Sequence, residues 1–274
     1  MEILNKETNL NEIATKYKEQ YITSQPFPSI YFDNFFNPEF LDLVLGEFPD
    51  MAKNPDIHFN NYNEIKYASK GERKFGEHTK AFVHFLNSEP FLLFLQELTS
   101  IKETLMPDPY FEGGGFHEIK KGGLLKLHAD FNKHAKSKLD RRLNVLVYLN
   151  KNWKEEYGGH FEMWDKEMKE CHKKILPVFN RMAMFSTTSH SFHGHPNPLT
   201  CPDDRSRKSV ALYYYTNGRP QHEIDSFNKD HSTIFVGRTE EERTKMQEII
   251  KEKISVRDFI PPVFGKIKRN ILSK

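Results

Sequence analysis

Gly122-Gly123-Leu124-Leu125-Lys126-Leu127-His128-Ala129-Asp130-Phe131 is the stretch that decides the fold. Its paired glycines argue against a helix, since each costs a helix about 1 kcal/mol relative to alanine. On a strand, side chains two residues apart point to the same side. Leu124, Lys126, His128 and Asp130 then share one side, and Leu125, Leu127 and Ala129 form an apolar one. The same alternation recurs downstream. In Arg141-Arg142-Leu143-Asn144-Val145-Leu146-Val147-Tyr148-Leu149-Asn150, the residues Asn144, Leu146 and Tyr148 fall on one side and Val145, Val147 and Leu149 on the other. In Arg207-Lys208-Ser209-Val210-Ala211, the small Ser209 and Ala211 share a side with Arg207 and leave room beside it. From about 108 to 217, short runs of this kind alternate with Gly, Pro and Asn turns, the pattern of an all-β sandwich or jelly roll.

The chemistry sits on those strands. His128 and Asp130 can reach one metal ion, and a second His would complete the two-His, one-carboxylate facial triad that holds non-haem Fe(II) with positions left open. The segment Ser189-His190-Ser191-Phe192-His193-Gly194-His195-Pro196 supplies three candidates, His190, His193 and His195. His193 is followed by a glycine, which lets backbone come close to a ligand; His195 precedes Pro196 and should be extended at a loop entrance. Arg207 suits the far carboxylate of a cosubstrate because its planar fork makes paired, charge-assisted bonds. Its neighbour Arg205 reads as a surface ion-pairing residue. His134 lies in a charged run and reads as solvated, whereas His117, bracketed by Gly113-Gly114-Gly115 and Gly122-Gly123, is kept as a pocket residue. The loop 131–142 reads equally as a lid over substrate or as a solvated connection.

These blocks, in this order, resemble the prolyl 4-hydroxylase-like group of Fe(II)/2-oxoglutarate-dependent dioxygenases. The matching text covers roughly 110–217 and includes Gly158-Gly159-His160-Phe161-Glu162-Met163-Trp164-Asp165 as well as the runs above. The resemblance implies a mainly β chain with flanking helices, built on a double-stranded β-helix (jelly-roll) core with iron at its open end. It makes His128, Asp130 and His193 the iron ligands. Arg207 becomes the partner of the 2-oxoglutarate C5 carboxylate, Tyr148 a second bond to it, and Asn144 a further cosubstrate-side residue. Arg207 stands where collagen-type members carry Lys, and His117-Glu118 where many relatives carry a Tyr. Implied cofactors are Fe(II), 2-oxoglutarate and O2, with room for ascorbate. The implied reaction hydroxylates an unactivated C–H bond, with a peptidyl proline, free amino acid, sugar or lipid-linked precursor all compatible. Asp130 favours hydroxylation over halogenation, because halogenating relatives carry a small residue there. Two other classes stay open: a hydrolase using another divalent metal, and a jelly-roll binding module without turnover. The carboxylate clamp argues against the first and the complete ligand set against the second.

Bulk properties narrow the class. With 28% charged residues, 23 Phe and 11 Tyr in 274, the sequence is that of a soluble globular protein. A net charge of +2 does not point to nucleic acid. Cys171 and Cys201 make no disulfide framework and read as free thiols of a reducing compartment. The longest apolar stretch, Phe91-Leu92-Leu93-Phe94-Leu95, is far short of the roughly 20 residues a membrane helix needs. The first residues lack a signal-peptide pattern, so a cytoplasmic location is expected. Expected partners are a peptide or small-molecule substrate, with no nucleic acid, no membrane and an open oligomeric state.

Around the core, residues 1–20 read as a helix or arm and 26–33 as a short strand. Asn37 should cap a helix led by Pro38 and ended by Pro49, with Phe40, Leu41, Val44, Leu45 and Phe48 as its stripe. Residues 50–75 read as loop, and helices follow near 77–86, 89–99 and 239–253, the last before Pro261-Pro262 and a basic end. The organisation expected is 1–107 as helical support, 108–220 as the dioxygenase core and 221–274 as a helical tail.

Overall fold

Alternation along two long strands sets the architecture. The computed structural model describes the backbone of residues 1–224 and 230–258. In chain order these form α1 (Leu10–Ile22), β1 (Ser29–Asp33), α2 (Pro38–Gly46), β2 (Ile57–Asn60), β3 (Glu64–Ala68), α3 (Glu77–Leu86) and α4 (Glu89–Thr99). There follow β4 (Met106–Pro107), β5 (Gly115–Lys120), β6 (Leu124–Ala129), β7 (Asp140–Tyr148), β8 (Phe161–Trp164), β9 (Cys171–Ile175), β10 (Arg181–Ser186), β11 (His193–His195) and β12 (Ser206–Thr216). Short α5 (Gln221–Ile224) and β13 (Ile234–Phe235) complete a first unit, Met1–Phe235, and α6 (Glu240–Asp258) belongs to a second that begins at Val236. The proline pair and basic end after it lie outside the described residues.

The strands pair antiparallel in the order β1-β10-β7-β12-β5-β3-β6-β11-β8-β9, with β2 on β3, β4 on β12 and β13 on β6. The sheet curls on itself as a jelly roll. Its outer side carries Leu143, Val145 and Val147 of β7, Met182 and Met184 of β10, and Val210, Leu212 and Tyr214 of β12. These pack into one core with Tyr21 of α1, Leu41 and Val44 of α2, Phe82 of α3 and Phe91, Phe94 and Leu95 of α4. Each such buried side chain contributes about 1.5–3 kcal/mol, so this face supplies much of the folding energy. On the other side of β7 and β12, Asn144, Leu146, Arg207 and Ser209 line a cavity, and Tyr148 packs with Phe161 and Phe185.

Local signals place the supporting helices where the sequence expects them. Asn37 Oδ1 accepts from the backbone N–H groups of Glu39 and Phe40 at 2.9 and 3.3 Å, closing the start of α2. The start of α3 is capped from a distance, because Gly76 there has no side chain to offer. The Glu47 carboxylate accepts from the backbone of His78 (2.9 Å) and Thr79 (2.8 Å) and from the Thr79 hydroxyl (2.6 Å). Burial alone would raise its pKa, but these bonds hold it down to about 2.

The loop expected over 50–75 contains a hairpin instead. Ile57-His58-Phe59-Asn60 and Glu64-Ile65-Lys66-Tyr67-Ala68 alternate, but the surrounding Asn, Lys and Gly residues mask that period. Asn61 closes the turn by accepting from the backbone of Asn63 and Glu64 at 2.9 and 3.2 Å. β3 then pairs with both β5 and β6, joining the two halves of the curled sheet. Among the described residues no helix is long and apolar enough to cross a membrane.

Candidate metal centre

β6 and β11 bring two imidazoles together by pairing His128 directly with His193. Asp130 follows β6 immediately and turns back between them. Its Oδ1 lies 3.5 Å from His128 Nε2 and its Oδ2 3.4 Å from His193 Nε2. Among the described residues this is the one cluster of three His, Cys or acidic residues with ligand atoms close enough to share an ion. Donors at about 2.1 Å from an ion and at right angles to one another sit about 3 Å apart, so small movements would close this set on a metal. Gly194 permits the approach of β11: a Cβ there would lie 2.7 Å from the Leu125 carbonyl oxygen and 2.9 Å from that of Lys126. The close approach the sequence attributes to a ligand is thus an approach to backbone.

Each ring is oriented through its other nitrogen. His128 Nδ1 donates to the Lys126 carbonyl and His193 Nδ1 to the Ser191 carbonyl, both at 2.8 Å, which leaves the two Nε2 lone pairs free. Burial lowers the His193 pKa to about 3, so the ring is neutral, as a metal ligand must be. Its ring packs against Phe185 and Phe161 with centroids 4.4 and 5.4 Å apart.

Asp130 is held ionised by a residue the sequence reading did not single out. Burial would raise its pKa, but the buried Arg141 guanidinium beside it brings it well below the carboxylate range. Arg141 Nη2 donates to Asp130 Oδ2 at 3.0 Å, and Asn144 Nδ2 donates to the same oxygen at 2.7 Å. Arg141 Nε in turn donates to Asn144 Oδ1 at 2.9 Å, and the guanidinium carbon lies 4.5 and 3.5 Å from the ring centroids of Phe131 and Tyr213. Strict alternation would put Arg141 on the helix side with Leu143. The β7–β12 register instead steps from Tyr214↔Leu143 to Tyr215↔Arg141, so Arg142 is an extra residue and Arg141 swings to the cavity side.

At the far end stands Arg207, 5% exposed. Its Nε donates to the Gly159 carbonyl at 2.8 Å and its Nη2 approaches the Tyr148 hydroxyl at 3.4 Å. Gly159 has φ +73° and a Cβ there would meet Arg207 Cδ at 3.0 Å. Among the described residues no carboxylate pairs with this guanidinium, and burial lowers its pKa accordingly. A buried cation without a counter-ion is costly, and an anion brought by a bound molecule would relieve it. Lys66, His117, Ile119, Phe161, His195 and Ser209 complete the cavity wall.

The structure thus brings His128, Asp130 and His193 together, and puts Arg207, with Tyr148 beside it, in the wall of the same cavity. Asn144 lines the same cavity with its amide engaged by Asp130 and Arg141. His190 is exposed and outside the cluster, and Arg205 donates to the Lys151 carbonyl at the surface (2.8 Å). His134 overturns its reading as solvated: it is 2% exposed, with Nε2 3.3 Å from Asp108 and 3.1 Å from Glu112, and Nδ1 accepting from the Ser137 backbone. The charge of its neighbours in the sequence concealed these two acidic partners.

Residues 114–215 match the sequence model of the 2OG-Fe(II) oxygenase superfamily. No curated protein sequence matches the chain. Among solved structures, a Pseudomonas putida prolyl-4-hydroxylase superimposes with a TM-score of 0.55 at 12% identity, covering 77% of this chain and 100% of that one. A prolyl hydroxylase from Trichoplax adhaerens, solved with a hypoxia inducible factor peptide fragment, gives 0.55 at 16% identity over 80% of this chain and 94% of that one. HygX from Streptomyces hygroscopicus, solved with nickel, 2-oxoglutarate and hygromycin B, gives 0.51 at 12% identity over 80% and 97%.

Proposed function

We infer that the protein is an Fe(II)- and 2-oxoglutarate-dependent hydroxylase whose superfamily domain, residues 114–215, carries the reaction. The observation that carries this reading is the pairing of three metal-ligating groups with a buried, uncompensated guanidinium across one cavity. His128, Asp130 and His193 would hold the metal, and Arg207 with Tyr148 the C5 carboxylate of 2-oxoglutarate. When bound, iron and cosubstrate consume O2, convert 2-oxoglutarate to succinate and CO2, and place the remaining oxygen atom into a substrate C–H bond. The chain supplies orientation and charge. Backbone carbonyls fix both imidazole tautomers, Arg141 and Asn144 keep Asp130 anionic and aimed, and aromatic rings around His193 exclude water. A hydrolase would have no use for the buried Arg207, and a non-catalytic module would not need the full donor set.

The substrate is an organic molecule with an unactivated C–H bond. Two of the similar structures hold, respectively, a peptide and hygromycin B, so the fold accommodates both kinds and a peptidyl proline is one candidate among them. Two free cysteines support a reducing, cytoplasmic setting. The test is succinate release by the Fe(II)-loaded protein across proline-containing peptides and small-molecule pools, with His128→Ala as control. Substrate-stimulated succinate absent from the control is expected; equal release by both proteins sinks the reading.

A further inference from the structure

His195 is 3% exposed, and neither of its ring nitrogens has a hydrogen-bond partner. A buried polar group left unsatisfied costs about 1–3 kcal/mol, and this one lines the cavity between the metal ligands and Arg207. Three other polar groups of the wall are engaged. Lys66 Nζ lies 3.2 Å from Glu64, His117 Nε2 donates to the Gly113 carbonyl at 2.9 Å, and Asn144 is bonded to Asp130. Of the two imidazoles in this wall outside the triad, His117 and His195, only His195 has both nitrogens idle.

Strand register says where it stands. His193 and His195 both line the cavity, although the β11–β6 register shifts between them. β8 runs alongside, with Met163 opposite His193. Two residues before Met163 comes Phe161, in the cavity wall, and two before that comes Gly159, whose carbonyl holds Arg207. Both strands therefore lead from the triad toward Arg207, and His195 is the polar side chain on that path. A dicarboxylate bridging metal and guanidinium would lie along it.

We propose that His195 is a third contact for the cosubstrate, donating its ring N–H to the carboxylate taken up by Arg207 and Tyr148. This rests on the oxygenase reading and deepens it: His195 sets how tightly 2-oxoglutarate is held, while the triad and its orientation are untouched. A neutral imidazole has one N–H to donate, and a carboxylate oxygen is the acceptor that makes the stronger bond.

Calorimetric binding to the Ni(II)-loaded, full-length chain tests it without turnover. The ligands are 2-oxoglutarate and 2-oxopentanoate, which has a methyl group in place of the distal carboxylate. His195→Leu is expected to weaken 2-oxoglutarate by about tenfold to a hundredfold, the range for a hydrogen bond to a charged group, and to leave 2-oxopentanoate unchanged. His195→Asn, which keeps a donor, is expected to recover part of the loss and serves if the Leu variant fails to fold. Equal weakening of both ligands, or none, overturns the proposal. Arg207→Met is the control: if it loses 2-oxoglutarate and His195→Leu does not, only the His195 inference fails. If wild type binds neither ligand, the oxygenase reading itself falls.

Discussion

The two sides of β7 make unlike demands on the same nine residues. On the helix side, Leu143, Val145 and Val147 need only fill space against Phe82, Phe91 and Leu95. On the cavity side, Asn144 and Tyr148 meet charged partners, Asp130, Arg141 and Arg207, none of which burial favours by itself. The first side stabilises the fold without specifying a ligand; the second specifies a ligand and draws on that stability. The metal end of the cavity is complete in itself, with both imidazole Nδ1 groups and Asp130 Oδ2 bonded within the protein. The Arg207 end stays short of an anion.

Four substitutions can break or sharpen this contrast. Asp130→Ala should do most, because it removes a proposed metal ligand and strands Arg141 as a buried, unpaired charge. Loss of metal binding by calorimetry and destabilisation of about 3–5 kcal/mol in urea are expected together. Leu212→Ala, on the helix side of β12, should cost about 2–5 kcal/mol by the same denaturation while the folded protein keeps its metal affinity. If affinity falls in step with stability, the two sides are not separable. Arg207→Met should give the opposite result: 2-oxoglutarate binding about 10²-fold weaker, and thermal stability of the ligand-free protein no lower than wild type. A lowered melting temperature would show that Arg207 serves the fold.

Glu47→Gln should be the smallest and is read through pH. The folded pKa of Glu47, about 2, lies below its ordinary value of 4.5, so its contribution is fully present above about pH 4.5 and is lost as pH falls toward 2. Wild type should lose roughly 2 kcal/mol more than the variant across that window, and the two acid-denaturation curves should converge at its lower end. Parallel curves would mean that the cap on α3 contributes nothing.

Sequence reading reached different depths in the two regions. Caps and stripes locate α2, α3 and α4 closely, because Asn37, Pro38 and the phenylalanines act within a few residues of where they stand. His128, Asp130 and Arg207 are equally legible, since period-two spacing on a strand is a local property. What stays hidden depends on pairing. Lys66 enters the cavity wall from β3, whose alternation is diluted by polar neighbours. Arg141 reaches Asp130 only through a bulge that no residue type announces. His195 could be weighed only as a rival ligand, because the register that sets it beyond the triad belongs to β11, β6 and β8 jointly. His134 shows the same limit: its acidic partners, Asp108 and Glu112, sit more than twenty residues away.

The extra residue in β7 makes the metal chemistry vulnerable to an event that touches none of its ligands. Inserting one residue between Tyr214 and Tyr215 of β12 would give Arg142 a partner, restore an even ladder and turn the Arg141 guanidinium toward the helices. Asp130 would then keep its place in the chain yet lose its counter-charge, so a three-base insertion outside the proposed coordinating residues would disable the site.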